Sequence, residues 1–256
     1  MKNRIPFRVH PMLATLIGNP FDKPGWVYEE KYDGYRVLAY KEGDRVTLLS
    51  RNDKDRTLMF PEIAKAVCAL PVCTVLLDGE VVAFDRKNVS RFQLLQQGDV
   101  KPAYAVFDCL YVNGKDLRSQ SLSSRRSVLE MIVRNGKQIL LSRRLSDNGI
   151  TAYRMAKARG FEGLVAKDQS APYVERRSTK WLKVKVHQEE EFVIAGYTAP
   201  AGSRRHFGAL LLGAYDRGSL HYVGKVGTGF SRDMLDSLAH AFRSLIRKKP
   251  AFRPSA

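Results

Sequence analysis

Residues 74–84 read TVLLDGEVVAF, a β-rich apolar run with two carboxylates set in its middle. A carboxylate planted in a strand costs desolvation unless a metal ion or a cation pairs with it. Asp78 and Glu80 therefore demand a fold that brings such partners to a sheet. The run is far too short for the roughly 20 apolar residues that span a bilayer, and no other stretch comes close. The Pro11–Gly18 stretch is also too short and lacks a small-residue cleavage site.

The surrounding chain supplies the sheets. Trp26 to Lys31, Arg36 to Lys41 and Arg45 to Arg51 read as strands, the last two joined by the tight turn Glu42-Gly43-Asp44. Lys31 to Arg36 is then a strand end and turn. A proline-led helix is expected over Pro61 to Leu70, a strand over Ala103 to Val112, a helix over Leu122 to Arg134 and a strand over Gln138 to Arg144. Asp147 is the expected cap of a helix that runs through Met155 to Arg159 and stops at Gly160, followed by strands at Gly163 to Lys167 and Trp181 to Val186. From Glu191 the pattern changes to three strands (Phe192 to Thr198, Ala209 to Tyr215, Leu220 to Val226) and one helix, Arg232 to about Arg247. A domain boundary near His187 follows, with domains at 1–187 and 188–256 and a fraying tail from Lys248. The chain has 256 residues, 44% of them hydrophobic, enough for one large and one small core.

Forty-three Lys and Arg against twenty-six Asp and Glu leave a formal charge of +17, which suits a polyanionic partner, nucleic acid first. Charge alone is also compatible with a basic protein that has no such partner. Cys68, Cys73 and Cys109 lie in apolar runs at no metal-knuckle spacing and read as reduced core residues. A glycine-rich run at 222–230 lacks GxxxxGK[ST] and reads as turns.

A lysine attacks phosphorus only as the neutral amine, so its site must hold neighbouring cations or burial, carboxylates for Mg2+, further Lys or Arg for phosphate oxygens and an aromatic face for a base. Lys31-Tyr32-Asp33-Gly34-Tyr35-Arg36 resembles the KxDGxR signature of the covalent nucleotidyltransferases: DNA ligases, RNA ligases and capping enzymes. Ser50-Arg51-Asn52, Leu77-Asp78-Gly79-Glu80-Val81-Val82, Val106-Phe107-Asp108, Glu162 to Lys167 and Trp181-Leu182-Lys183-Val184-Lys185 follow in family order. Phe60-Pro61-Glu62, Phe92 to Gln96, Tyr173 to Lys185 and Phe207 to Gly213 resemble the ligase module of bacterial end-joining ligases, within the ATP-dependent DNA ligases. The stretch Tyr173-Val174-Glu175-Arg176-Arg177 departs from that family in lacking its loop glycine.

The resemblance implies an α+β fold: an adenylation (nucleotidyltransferase, ATP-grasp-like) domain with mostly antiparallel sheets, then a partial OB-fold barrel. It implies that Lys31 takes AMP from ATP as a phosphoramidate, that Glu29 reads the adenine edge and that Phe107 stacks on the ring. Arg36, Arg51 and Glu80 would surround the ribose, Arg177, Lys183 and Lys185 would hold phosphate, and Glu80 and Glu162 would serve Mg2+. Asp78 and Asp108 match acidic positions of the family without an assigned role. Alternation in WLKVK sets Lys183 and Lys185 on one strand face. The implied function is sealing of nicked or broken duplex DNA by a cytoplasmic, nucleoid-associated monomer that works with end-joining repair proteins. An RNA ligase, a capping-type enzyme and a non-catalytic DNA-binding remnant are the alternatives. An OB barrel has five strands, and three are expected before Ala256. The family's sixth motif is therefore expected to be missing and self-adenylation weak.

Overall fold

The computed structural model describes residues 5–252 except 99, 135, 187–190, 201, 203, 204, 248 and 250. It divides into two compact units, Met1–His187 and Gln188–Ala256; the residues around the expected boundary at His187 lie outside the described ones. In chain order the first unit contains β1 (Leu13–Ile17), β2 (Trp26–Glu30), β3 (Tyr35–Glu42), β4 (Arg45–Ser50), α1 (Pro61–Cys68), β5 (Thr74–Val82), α2 (Phe92–Gln97), β6 (Ala103–Val112) and β7 (Lys115–Asp116). It continues with α3 (Leu122–Ile132), β8 (Ile139–Leu141), β9 (Arg144–Ser146), α4 (Gly149–Arg159), β10 (Gly163–Asp168) and β11 (Arg177–Lys185).

One sheet runs β4-β3-β5-β6-β7, antiparallel throughout, with β8 added parallel to β6. Its hairpin turns at Gly43, whose φ of 60° suits a residue without a Cβ. Alternation along β5 sends Val75, Leu77 and Val81 into the core under α1 and α3. Leu76 lies on the opposite face, in a cluster with Leu38, Tyr40, Phe107, Tyr173 and Trp181, so Asp78 and Glu80 share that face by parity. A second sheet runs β1-β11-β10-β2-β9, with β1 parallel to β11 and the other pairs antiparallel. Trp181 of β11 joins the Leu76 cluster, so apolar side chains lie between the two sheets. Ala152 and Ala156 of α4 pack with Tyr28, Leu164 and Val184 of the second sheet.

Several local expectations are corrected. The expected strand 138–144 is two short strands, because the chain crosses there from one sheet to the other: β8 pairs with β6 and β9 with β2. The cap of α4 is Asn148, whose Oδ1 accepts from Thr151 N at 2.9 Å, not Asp147 one residue earlier. β11 begins at Arg177 because β1 pairs with its polar first half, which has no apolar signal of its own. β1, α2 and β7 were not expected from the sequence. Of the cysteines only Cys109 is buried; Cys68 is half-buried and Cys73 exposed. The buried Lys41 donates to the carbonyls of Cys68 at 2.5 Å and Leu70 at 2.6 Å, tying β3 to the end of α1.

The second unit is an antiparallel meander, β12 (Val193–Tyr197), β13 (Leu210–Asp216) and β14 (Ser219–Val226), followed by α5 (Arg232–Phe242). Arg217 and Gly218 make the β13–β14 turn with positive φ, the pair of conformations that a tight hairpin requires. Ser231 caps α5, and the helix ends five residues before the expected Arg247. The buried Phe207 is contacted by the rings of Phe230, Phe242 and the more exposed Tyr197. Among the described residues three strands are present and they do not close into a barrel. Phe252, expected in a fraying tail, packs edge-on against Tyr222 at 5.5 Å.

Candidate active site

The KxDGxR segment leaves the end of β2 and crosses to β3. Lys31 N donates to the Gly163 carbonyl at 3.0 Å, which anchors the segment to β10. Asp33 holds the other side of the turn: its Oδ2 accepts from Phe92 N, the first amide of α2, at 3.1 Å. Gly34 permits the close approach to β5, since a Cβ there would stand 2.1 Å from the Val81 carbonyl oxygen. Two members of the signature are thus structural, and they set the position of the third. The Lys31 ammonium, 19% exposed, pairs with the carboxylate of Glu162.

Alternation along β2 puts Glu29 on the face that Lys31 continues. Glu29 is buried, and its Oε2 accepts from Lys167 Nζ at 2.6 Å and Ser142 Oγ at 2.9 Å, with Arg126 Nη1 3.6 Å from Oε1. Lys167 is also buried, and its Nζ lies 4.4 Å from the ring centroids of both Phe107 and Trp181. Burial pushes the Lys167 ammonium below its ordinary value, and Glu29 opposes that shift. Phe107 and Trp181 meet edge to face at 5.9 Å. The Arg36 guanidinium sits 4.6 Å from the Phe107 centroid and grips Asp78 through two 2.6 Å hydrogen bonds.

These groups surround a cavity of about 220 Å3, whose walls include Glu29, Lys31, Arg36, Arg51, Glu80, Phe107, Lys167, Arg177, Trp181 and Lys183. Burial pushes the Glu80 carboxyl up to about 7, with Arg36 and Lys31 pulling it back and Asp78 and Glu162 adding to it. Lys183 is pushed down by burial and by the charges of Lys31, Arg177 and Lys185. Also in the cavity wall, burial raises the Glu30 carboxyl to about 7. Arg143 Nη1 lies 3.0 Å from its Oε2, yet neither Glu30 oxygen has an aligned hydrogen bond among the described residues.

Eight of the residues singled out in the sequence line this one cavity: Glu29, Lys31, Arg36, Arg51, Glu80, Phe107, Arg177 and Lys183. Glu162 reaches it through Lys31. Lys185 does not line it; its side chain is half exposed, 3.8 Å from Glu162. Asp108 is drawn away from the cavity by the fully buried Arg125, at 2.7 and 2.8 Å. Lys167, Trp181, Ser142 and Arg126 carry no assigned role in the sequence reading. Lys167 had the same signal as Asp78, a charge in an apolar strand, whereas Ser142 and Arg126 have none.

Two carboxylates, Glu80 and Glu162, lie within electrostatic reach of Lys31 and of each other. Among the described residues no group of three or more His, Cys, Asp or Glu side chains could hold a metal ion. Mg2+ does not need one, because one or two carboxylates with substrate phosphates suffice.

The family model described as "ATP dependent DNA ligase domain" matches residues 11–185, and that described as "ATP dependent DNA ligase C terminal region" matches 203–256. The chain is 38% identical to the multifunctional non-homologous end joining protein LigD of Pseudomonas aeruginosa, over 98% of this chain and 32% of that protein. It is 30% identical to the SPbeta prophage-derived DNA ligase-like protein LigB of Bacillus subtilis, over 74% of this chain and 72% of that one. It thus spans about a third of the length of the LigD proteins it matches. The structure of mycobacterial DNA ligase D complexed with ATP and MES superposes with a TM-score of 0.66 at 30% identity, covering 98% of this chain and 84% of that one. The ligase domain of Mycobacterium tuberculosis LigD gives the same TM-score, 0.66, at 31% identity. No helix among the described residues is long and apolar enough to cross a membrane. With both units matched, and the cavity built where the ordered motifs converge, the chain belongs to the ATP-dependent DNA ligase family.

Proposed function

We propose that this chain is a sealing module that joins nicked or broken duplex DNA, with Lys31 carrying AMP between ATP and the DNA. The observation that carries the reading is the Glu29–Lys167 pair in the same cavity wall as Lys31 and the Phe107 ring. A carboxylate beside an ammonium matches the Watson–Crick edge of adenine: the exocyclic amine donates to Glu29 and the ring N1 accepts from Lys167. Guanine presents the reverse order, a carbonyl to the carboxylate and an N–H to the ammonium. Leaving buried polar groups mispaired is how a site rejects an analogue.

With the base against Phe107 and the phosphates among Arg51, Arg177 and Lys183, the Lys31 amine faces the α-phosphorus once its pair with Glu162 opens. The Lys31 ammonium gives up a proton to solvent, the freed lone pair forms the nitrogen–phosphorus bond, and the bond to pyrophosphate breaks with its electron pair leaving on the pyrophosphate. AMP then passes from Lys31 to the 5′ phosphate of the break, and the 3′ hydroxyl displaces AMP to close the strand. Glu80 and Glu162 would hold Mg2+, which supplies charge neutralisation at the phosphates when bound. The charge of +17 provides the backbone contacts for duplex DNA. We place the chain in bacterial end joining, as a monomer in the cytoplasm acting at DNA breaks with other repair proteins.

Intact-protein mass after incubation with Mg2+ and either ATP or GTP tests this. An AMP adduct that Lys31→Ala abolishes, no GMP adduct, and sealing of nicked DNA but not nicked RNA are expected. A GMP adduct identifies a capping-type enzyme, RNA sealing an RNA ligase, and the absence of any adduct a binding remnant.

A further inference from the structure

Tyr173 lies on the loop between β10 and β11, outside the cavity lining. Its hydroxyl accepts from Met12 N at 2.9 Å and donates to Asp78 Oδ2 at 2.7 Å. Asp78 Oδ2 also accepts from Arg36 Nη2 at 2.6 Å, and the same Nη2 donates to the Met12 carbonyl at 3.2 Å. The contacts close into a ring: Tyr173, Asp78, Arg36, Met12 and back to Tyr173. A phenol has one proton to donate, and here it goes to Asp78 while the oxygen accepts from Met12 N. Three of the five Arg36 N–H groups are spent on Asp78 and Met12. Those on Nη1 have no partner among the described residues, on a side chain that lines the cavity.

The same ring holds the cavity wall beyond Met12. Leu13 and Ala14 line the cavity. Leu13 N donates to the Arg176 carbonyl at 3.0 Å, and Arg177 Nη1 donates to the Ala14 carbonyl at 2.5 Å. The Tyr173 ring is clamped edge-on to Trp181 at 6.0 Å, so its hydroxyl is presented from a fixed ring. We propose that Tyr173 is a positioning residue for the nucleotide: it orients both acceptors that pin Arg36, so that Arg36 Nη1 faces the bound nucleotide, and it couples that arginine to the Leu13–Ala14 wall. The inference rests on the reading of the cavity as an ATP site. It concerns ground-state binding, because none of the four ring members is the attacking group.

Tyr173→Phe removes one oxygen and keeps the ring packing. Lysyl-AMP formation is followed against ATP concentration in wild type, Tyr173→Phe, Arg36→Lys and the double variant, with Tm alongside. The expected result is a KM for ATP raised about tenfold with kcat within about twofold, the loss typical of a hydrogen bond to a charged group. The increase disappears when Arg36 is already Lys, because the two substitutions break the same ring. Tyr104→Phe removes another buried hydroxyl, one that donates to the carbonyls of Val37 and Leu77, and is expected to lower Tm without moving KM. An unchanged KM in Tyr173→Phe overturns the proposal, as does a full effect in the Arg36→Lys background or a variant that fails to fold. If wild type is labelled by ATP while Tyr173→Phe keeps its KM, only this inference falls; if wild type neither binds ATP nor is labelled, the function falls with it.

Discussion

Lys167 Nζ lies 2.6 Å from Glu29 Oε2, with each side chain 3% exposed, across a separation of 138 residues. The Lys167 ammonium also lies over the Phe107 and Trp181 rings, and both members of the pair line the cavity that contains Lys31. Removing one partner leaves an uncompensated buried charge, typically at a cost of about 3–5 kcal/mol. Lys167→Met and Glu29→Gln are each expected to lower the unfolding free energy by that order. The double variant should lose less than the sum. Denaturant titration of the three variants measures this, and labelling with ATP and GTP should show the preference for ATP collapsing in each.

Glu30 supplies a pH dependence. Its carboxyl is raised from 4.5 to about 7, chiefly by burial. Between these values the folded chain keeps a proton that the unfolded chain has released. Stability from this group therefore falls as pH rises from about 4.5 to about 7 and is level above. Glu80 acts in the same direction. Glu30→Gln is expected to flatten the decline, gaining on the order of 1–3 kcal/mol over wild type at pH 8 relative to pH 5, as read by chemical denaturation at the two pH values.

Gly34→Ala is expected to damage the fold and the site together. The added methyl would stand 2.1 Å from the Val81 carbonyl oxygen, so either the turn carrying Lys31 or β5 carrying Glu80 must move. A loss of at least about 2 kcal/mol, seen as a lower Tm, should accompany near-complete loss of the AMP adduct. A variant with normal Tm and normal labelling would show that the turn and β5 can part here at little cost.

DNA affinity should fall steeply with salt and vary little with sequence, because phosphate contacts dominate in a chain of charge +17. Fluorescence anisotropy with a nicked duplex is expected to show at least about tenfold weaker binding between 50 and 200 mM salt. A salt-independent affinity would exclude this mode of binding.

The cavity residues were legible where local pattern encodes direction. Alternation in TVLLDGEVV puts Asp78 and Glu80 on the face away from the α1 and α3 core, and alternation in WVYEEK aligns Glu29 with Lys31. The ordered motifs resembling the ligase family then named the cavity walls. Lys185 shows the limit of that reasoning, since sharing a strand face with Lys183 did not bring it to the cavity wall. Asp108 shows it again: its partner, Arg125, arrives from α3 and takes both carboxylate oxygens.

By itself the sequence determined the hairpins, the turn at Lys31 and the parity of the charged strand residues, because these depend on neighbours a few positions away. Only the tertiary structure decided which charges meet. Ser142 reaches Glu29 over 113 residues and Tyr173 reaches Met12 over 161, and β1 is held by β11 from the far end of the unit. Such pairings arise when two sheets bury apolar faces against each other and each trapped polar group must find a partner, a condition set by packing and not written in any local run of residues.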